Sequence, residues 1–384
     1  MVPEGWEVKP LSEIAKEKIS YGIVQAGPHV PDGVPYIKSS DVRGIIEPDD
    51  LQRTSTEIHY KYRRSAVHPG DIVFSLRGNI GESAIVPPEL PEANLTQGTA
   101  RISVSERHSN RFHFYQLASA PLLNRVNALS KGSTFKEISL EELRKVRVLC
   151  PPLPEQKKIA QILSTWDQAI TATERLLENS QQRKKGLMQQ LLTGKKRLPG
   201  FEGEWDQCRF SEIVTHRSGN SKLIKGKLAT DPEAGLYPGY SASGQDVWLD
   251  HYEHQGVAII VSAVGSRCGK CFYARGYWSA IANTHVIFPN ENSVDAFFLN
   301  CFLNNEEFWI KGGSGQPFVK IKDTLSKTIM LPSIEEQRAI TAVLSICEKE
   351  CNALVTRLDL LKTQKKALMQ QLLTGKRRVQ VEAA

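Results

Sequence analysis

Two short motifs combine residue types that bind metal ions. Cys268-Gly269-Lys270-Cys271 has the spacing of a zinc knuckle, but a closed tetrahedral site needs two further ligands at comparable spacing. Cys208 or His285 would have to come from distant positions in the chain, so we predict no metal site. His108-Ser109-Asn110-Arg111-Phe112-His113 carries a histidine at each end, and we interpret this polar segment as a solvated loop.

A second group of candidates consists of Arg, Lys, Asn and Ser residues in loops beside strand-like apolar runs. Arginine can read guanine and asparagine can read adenine through paired hydrogen bonds, while lysine and serine more often hold phosphates. In a protein that binds DNA these loops would be the expected contacts, and a surface charge or a turn residue is the alternative at each position. The candidates are Lys38, Ser39, Arg43, Ser75, Arg77, Asn79, Ser262, Ser266, Arg267 and Lys270.

The elements that would position these loops are revealed by an internal repeat. The nine residues LMQQLLTGK occur at Leu187 to Lys195 and again at Leu368 to Lys376, 181 positions later. Both copies end a stretch in which apolar residues recur at alternating steps of four and three, the pattern of a coiled-coil seam. The seam is predicted at Ile159, Leu163, Trp166, Ile170, Leu177, Leu187, Leu191, Ile340, Leu344, Leu354, Leu358, Leu361, Leu368 and Leu372, with Cys347 and Cys351 as small core residues.

Local signals mark where both helices begin and end. Ser333 followed by Glu336 has the pattern of a capping box, and prolines precede the first helix. Gly194 and Gly375 stand where a left-handed cap is favoured, each followed by basic residues that suit the carboxyl-terminal end of a helix dipole. The sequence therefore predicts two long helices with defined ends.

The segments before the helices also correspond in order. Each has a tryptophan before Ser-Glu-Ile, a strand-like run with a glycine-rich sequel, a Gly-Ser turn (Gly132-Ser133 and Gly313-Ser314) and a phenylalanine (Phe135 and Phe318). We predict an α+β protein with two mixed α/β domains separated by two long helices, which form an antiparallel coiled coil with pseudo-two-fold symmetry. The predicted boundaries are 1–150 and 199–332 for the domains, and 151–198 and 333–384 for the helical regions.

Composition limits the class of protein. The chain has 384 residues, of which 40% are hydrophobic and 24% charged, and no apolar run approaches the roughly 20 residues of a membrane span. Seven cysteines fit a reducing compartment better than a disulfide framework, and no secretory leader is visible, so we expect a cytoplasmic protein without a membrane partner. The net charge of +7 permits nucleic-acid binding without requiring it.

These motifs resemble the specificity subunits of type I restriction-modification systems. The resemblance rests on Pro151-Pro152-Leu153-Pro154-Glu155-Gln156, its weaker counterpart Leu331 to Gln337, both LMQQLLTGK runs, and Leu198-Pro199-Gly200-Phe201 before Trp205. It implies two target-recognition domains, each reading half of a bipartite, asymmetric site in double-stranded DNA. It also implies that two modification subunits dock on the helices to form an adenine-N6 methyltransferase, and that restriction subunits join them.

The resemblance places the chemistry in the partners, so we expect no catalytic residue and no cofactor in this chain. S-adenosylmethionine, ATP and Mg²⁺ are expected in the partner subunits. The sequence lacks the Asn/Asp-Pro-Pro-Tyr/Phe loop of an adenine methyltransferase and the Gly-x-x-x-x-Gly-Lys-Ser/Thr phosphate loop. An assembly scaffold whose domains bind peptides or proteins is the alternative, since a coiled coil alone would support it equally.

Overall fold

The computed structural model describes residues 2–132 and 136–381. Contacts divide the chain into two units: unit 1 comprises Met1–Glu174 and Thr356–Ala384, and unit 2 comprises Arg175–Val355. Both boundaries fall inside long helices, so each unit contains a domain and a part of both helices. Ser133 and Phe135, which belong to a predicted turn, lie outside the described residues.

Unit 1 contains mixed strands and short helices that lead into a long helix. A four-stranded antiparallel sheet has the order β2-β8-β5-β6, and in a smaller sheet β3 pairs with β4 antiparallel and with β7 parallel. A ribbon of β1 and β9 leads into the long helix α6. The elements are β1 (Glu7–Pro10), α1 (Leu11–Ile14), β2 (Ser20–Tyr21), β3 (Val34–Ile37), β4 (Arg53–Thr54), α2 (Thr56–Lys61), β5 (Ile72–Ser75), β6 (Ser83–Ile85), β7 (Asn94–Leu95), β8 (Thr99–Ile102), α3 (Asn110–Leu117), α4 (Ala120–Leu129), α5 (Leu140–Lys145), β9 (Arg147–Cys150) and α6 (Leu153–Leu191).

Unit 2 repeats this plan. Its main antiparallel sheet has the order β11-β18-β15-β16, β12 pairs with β13 antiparallel and with β17 parallel, and a ribbon of β10 and β21 leads into the long helix α10. The elements are β10 (Asp206–Arg209), α7 (Phe210–Ile213), β11 (Val214–Ser218), β12 (Tyr237–Ser241), β13 (Gly244–Leu249), β14 (His254–Gln255), β15 (Ala258–Ser262), β16 (Cys271–Ala274), β17 (Tyr277–Ala280), β18 (Thr284–Pro289), α8 (Ala296–Leu303), β19 (Lys311–Gly312), β20 (Phe318–Val319), α9 (Ile321–Leu325), β21 (Thr328–Leu331) and α10 (Ile334–Leu372).

The central strands β5 and β15 each contribute side chains to two separate cores. Both strands are apolar and buried along their length. Because successive side chains of a strand point to opposite faces, Ile72 and Phe74 join one core while Val73 joins another. In unit 2, Ile259 and Val261 separate from Ile260 in the same way. The continuous apolar runs of β5 and β15 therefore correspond to strands that are covered on both faces.

The parts of α6 and α10 inside each unit run antiparallel. In unit 1, Glu155 pairs with Arg378, Asp167 with Lys365, and Glu174 with Lys362. Residue numbers therefore rise along the first helical segment while those of the paired residues fall. Unit 2 shows the same order in the pairs Ser180–Glu350, Lys184–Glu348 and Arg197–Glu336. Every position of the predicted seam is buried or half-buried. Among the described residues, no helix combines the length and apolarity needed to cross a bilayer.

Two interpretations of metal-like motifs can be compared with the structure. Cys268 and Cys271 are buried in the main core of unit 2, where their Sγ atoms contact the carbonyl oxygens of Ala263 and Leu303. The interpretation of residues 108–113 as a solvated loop is wrong, because residues 110 onwards form α3 and His113 is completely buried. Ser109 begins this helix by accepting the backbone N–H of Phe112.

Candidate nucleic-acid interface

The turn between β5 and β6 exposes two predicted DNA contacts of unit 1. Gly78 adopts a φ of 73°, which favours glycine, and the neighbouring Asn79 is exposed. Arg77 is half-exposed, and its Nη2 lies 2.9 Å from a carboxylate oxygen of Glu137. An exposed ion pair of this kind contributes little to stability. The guanidinium of Arg77 is therefore held beside the turn, but it can leave Glu137 to bind an acceptor on a nucleic acid.

Lys38, Ser39 and Arg43 come from a different loop, and part of that loop meets the β5–β6 turn. Ser39 Oγ donates to the carbonyl oxygen of Gly98 at 2.9 Å. A Cβ at Gly98 would lie 2.5 Å from Ser39 Oγ and 3.2 Å from Arg77 Cγ, so both side chains pack against the same glycine. The structure thus brings together two loops that the sequence predicted independently. Arg43 is exposed and Lys38 half-exposed.

The turn between β15 and β16 is the counterpart in unit 2. Ser266, Arg267 and Lys270 are all exposed in it, and the Nη1 of Arg267 donates to the carbonyl oxygen of Ser243 at 3.2 Å. Gly269 has a φ of 90°, and a Cβ there would lie 2.8 Å from the ring of a buried tryptophan. Only glycine fits this position, so the three polar side chains are presented by a backbone of fixed shape.

Two predicted contacts are wrong. Ser75 and Ser262 are fully buried at the ends of β5 and β15. Their hydroxyl groups donate to carbonyl oxygens two residues ahead, at 3.1 Å for Arg77 and 3.5 Å for Val264. Each serine shapes the start of a turn and cannot reach a ligand itself.

A basic and aromatic patch in unit 1 was not identified from the sequence. Lys61, Arg63 and Arg64 are exposed around the end of α2, and the guanidinium of Arg63 lies 5.5 Å from the ring centroid of the exposed Tyr60. His59 anchors this segment, since its Nδ1 lies 2.7 Å from the Asn94 amide of β7. Alternation of tyrosine with basic residues suits contact with both phosphates and bases, and the run Tyr-Lys-Tyr-Arg-Arg was the signal that could have revealed it.

Unit 2 carries a different exposed feature, a cluster of three tyrosines. Tyr252 and Tyr277 lie 4.6 Å apart between ring centroids, and Tyr237 lies 5.0 Å from Tyr252. Tyr252 and Tyr277 are more than two-fifths exposed. The two domains therefore share a framework while the side chains on their surfaces differ.

Each domain is joined to its long helix by the same glutamine clamp. Gln156 accepts the N–H of Ser109 at 2.8 Å through Oε1 and donates to the carbonyl oxygen of Pro151 at 2.7 Å through Nε2. In unit 2 the amide of Gln337 does the same with Asp295 at 2.8 Å and with Pro332 at 2.9 Å. Ser109 and Asp295 are the N-cap residues of α3 and α8. The clamp therefore connects the start of a domain helix to the start of a long helix in each unit.

A buried carboxylate ties the two long helices together within each unit. Arg378 grips Glu155 with bonds of 2.7 and 2.9 Å, and Arg197 grips Glu336 with bonds of 2.6 and 2.7 Å. Both glutamates are almost completely buried, and the hydrogen bonds that each arginine donates to its carboxylate raise the pKa of that arginine. The basic residues after the helices thus stabilise the helical frame.

Comparison with known proteins covers both repeats. Residues 3–179 and 202–361 match the model of the type I restriction modification DNA specificity domain. The specificity subunit of the type I restriction enzyme EcoBI of Escherichia coli is 27% identical over 231 residues, which are 59% of this chain and 46% of that subunit. The MjaVIII specificity subunit of Methanocaldococcus jannaschii is 24% identical over 421 residues, covering 98% of this chain and 94% of that protein.

A solved structure agrees in fold. The S subunit of a type I restriction-modification system from M. genitalium superposes with a TM-score of 0.67 at 16% identity, over 97% of this chain and 99% of that one. At this identity the likeness concerns the arrangement of strands and helices. The match of the family model to both domains is independent of it, since it rests on sequence.

Proposed function

Since the chain belongs to the family of type I restriction-modification DNA specificity domains, we propose that its two domains each read one half of a bipartite, asymmetric DNA target. The chain is the DNA sequence-specificity subunit of a type I restriction-modification enzyme. Its role is recognition, and the cleavage and modification chemistry belongs to other subunits.

The observation that carries the proposal is the equivalence of two exposed turns. The β5–β6 turn and the β15–β16 turn occupy the same place in sheets of the same strand order, yet one presents Arg77 and Asn79 and the other Arg267 and Lys270. Arginine and asparagine read bases through paired hydrogen bonds. A shared framework with unlike side chains suits the recognition of two unlike half-sites.

The Tyr60 to Arg64 patch supports DNA binding of a less specific kind. Three exposed positive charges on one segment would displace counterions from phosphates, and this contribution weakens as the salt concentration rises. Positioning on phosphates and reading of bases are then separable functions of unit 1.

Each unit also offers an equivalent groove for a protein partner. A groove of about 870 Å³ in unit 1 and one of about 1030 Å³ in unit 2 share nine lining positions of the repeat. We place two modification subunits on these grooves, with restriction subunits bound through them, and the complex in the cytoplasm. S-adenosylmethionine, ATP and Mg²⁺ belong to the partners. The shared positions are Asp167, Ile170, Lys362, Lys365, Lys366, Met369, Gln370, Leu373 and Thr374 in unit 1, and Glu348, Cys351, Gln181, Lys184, Lys185, Met188, Gln189, Leu192 and Thr193 in unit 2.

DNA recognition is tested with the full chain and its modification subunits on labelled duplexes. The target is first identified as the methylated motif in genomic DNA of the source cell. Arg77→Ala should weaken binding about 10- to 100-fold to the target, and much less to a duplex whose first half-site is changed. Arg267→Ala should do the same for the other half-site and serves as the matched variant. Absence of any sequence preference over competitor DNA at physiological salt would reject the proposal and favour an assembly scaffold.

The stoichiometry of the partners has a separate test. Met188→Glu and Met369→Glu each place a charge in one groove. Native mass spectrometry should find one modification subunit lost with either variant and both lost with the double variant. Gln364→Glu, at an exposed helix position outside both grooves, is the control. Full assembly of the double variant would refute the placement of the partners.

A further inference from the structure

Three side chains that bind metals meet where the first domain joins α6. One ligand atom each from His108, His113 and Cys150 lie within 4.8 Å of one another, and this is the single such group found among the described residues. His108 precedes α3, His113 lies on α3, and Cys150 ends β9 just before α6. His113 and Cys150 are buried and His108 is half-buried. Three separate elements thus contribute to one small cluster.

The separation of the two imidazoles fits a tetrahedral ion. His108 Nδ1 and His113 Nε2 are 3.4 Å apart. Two nitrogen ligands at the usual zinc distance of about 2.0–2.1 Å are about 3.3–3.4 Å apart in tetrahedral geometry. An ion could therefore enter without a rearrangement of the two rings.

The amide of Gln156 indicates where the proton of the His108 ring lies. Gln156 accepts a backbone N–H through Oε1, so its Nε2 must be the donor 3.3 Å from His108 Nδ1. His113 Nδ1 is buried near Gln116, whose amide nitrogen donates to Leu149. Neither His113 Nδ1 nor Gln116 Oε1 has a hydrogen-bond partner among the described residues. As the acceptor of the Gln156 amide, His108 Nδ1 is therefore unprotonated, and a cation between the two rings would take the lone pair that it offers to Gln156, with His113 Nε2 as the second ligand.

The second domain shows that this junction does not require polar side chains. Asp295 takes the place of Ser109 in the Gln337 clamp, and Leu331 takes the place of Cys150 in the strand register. The corresponding positions are Val294, Leu299 and Leu331, all buried in one apolar core. The fold alone accepts an apolar trio, so the two histidines and the cysteine of unit 1 need a separate explanation.

We propose that His108, His113 and Cys150 bind one Zn²⁺ ion that stabilises the junction between the first domain and α6. Nitrogen and thiolate ligands suit Zn²⁺. Glu7 lies opposite Cys150 in the β1–β9 ribbon but is held by Lys9 at 2.6 Å, so water takes the fourth position. This proposal differs from the sequence-based expectation of no metal.

Zinc binding at this site is coupled to the release of a proton. Burial lowers the pKa of His113 to about 3, so the ring is neutral at pH 7 and its lone pair is available. Burial raises the pKa of the Cys150 thiol to about 11. Formation of the zinc–thiolate bond therefore releases one proton to solvent, and affinity falls as the pH is lowered.

The test uses the full chain, purified without chelators and with any affinity tag removed. Elemental analysis should find about one zinc per chain, and Co²⁺ in its place should give the visible bands of a tetrahedral site and a thiolate charge-transfer band. Cys150→Ser should abolish the charge-transfer band, while Cys208→Ser, at a half-buried thiol elsewhere, should leave it unchanged.

A second variant keeps the outcome interpretable if single changes impair folding. The triple variant combines His108→Val, His113→Leu and Cys150→Leu. It carries the residues that unit 2 has at the equivalent positions, so it should fold and bind no metal. A chelator should lower the melting temperature of the wild-type chain and leave that of the triple variant unchanged. Absence of both zinc and a Co²⁺ spectrum at micromolar metal, or a charge-transfer band that persists in Cys150→Ser, would overturn the proposal. Because these readouts need no DNA, their failure is independent of the proposed recognition function.

Discussion

Replacing Gln337 by methionine removes the clamp of unit 2 while nearly preserving its volume. Gln337 is 1% exposed, and its amide bonds the N–H of Asp295 at 2.8 Å and the carbonyl oxygen of Pro332 at 2.9 Å, with a longer contact of 3.4 Å to Ser293. A thioether can replace the packing of the side chain but none of these bonds. Gln337→Met therefore isolates the hydrogen bonds of the clamp.

The expected cost follows from the groups left behind. One backbone N–H and one carbonyl lose their partners, and each buried polar group without a partner costs about 1–3 kcal/mol. Similar volume keeps the packing cost below about 1.5 kcal/mol. The 3.4 Å contact is long and adds little. We therefore expect Gln337→Met to lower the free energy of unfolding of unit 2 by about 3 kcal/mol.

Urea unfolding followed by circular dichroism measures the loss, and hydrogen exchange of peptides from α8 assigns it to this junction. Gln337→Glu is the matched variant, because a carboxylate still accepts the N–H of Asp295 but meets the carbonyl of Pro332 as a second acceptor. Its stability relative to wild type should improve as the pH falls and the carboxyl group becomes a donor. A change below about 0.5 kcal/mol in Gln337→Met would refute the view that the clamp stabilises the junction.

Three further predictions concern unit 1 and its counterpart. Trp6→Phe should cost about 1 kcal/mol more than Trp205→Phe in urea unfolding, because Trp6 Nε1 donates to Glu155 at 3.1 Å whereas the buried Nε1 of Trp205 has no partner among the described residues. Arg378→Ala should lower the urea midpoint, and adding Glu155→Gln should restore part of the loss, since the double variant leaves no buried charge unpaired. In metal-free protein, stability should fall by about 2 kcal/mol between pH 8 and pH 5, because the unfolded chain protonates His113 near its ordinary pKa of about 6.5 while the folded ring does so only near pH 3. His113→Leu should show a smaller fall, and an equal fall would contradict the assignment.

The sequence was most informative where a pattern recurs. The LMQQLLTGK repeat and the alternating apolar steps predicted both long helices, and Leu153–Leu191 and Ile334–Leu372 lie within the predicted regions 151–198 and 333–384. Helical periodicity is local, so it can be recognised in one chain. Partners of the polar residues were not predictable in this way. For example, no local pattern indicates that Lys184 and Lys365 pair with Glu348 and Asp167 of the other helix.

The binding residues were harder to predict because exposure depends on the whole fold. Ser75 and Arg77 are neighbours in sequence, but the serine is fully buried and the arginine half-exposed. His113 looked polar and solvated, yet helix α3 turns it into the core. The burial of a short polar segment is decided by distant elements that pack on it, and local patterns carry no information about those elements.

The division of the chain also has a consequence for its synthesis. Unit 2 is one continuous segment, whereas unit 1 needs both Met1–Glu174 and Thr356–Ala384. Ile159 and Leu163, buried in the finished molecule, pack in one cluster with Leu372, which leaves the ribosome roughly 200 residues later. At translation rates of about 5–20 residues per second, the side of this cluster that Leu372 covers stays exposed for about 10–40 seconds. The domain that is synthesised first is therefore the last to be completed. Until α10 has been synthesised, the exposed apolar side chains of the nascent chain are prone to aggregation.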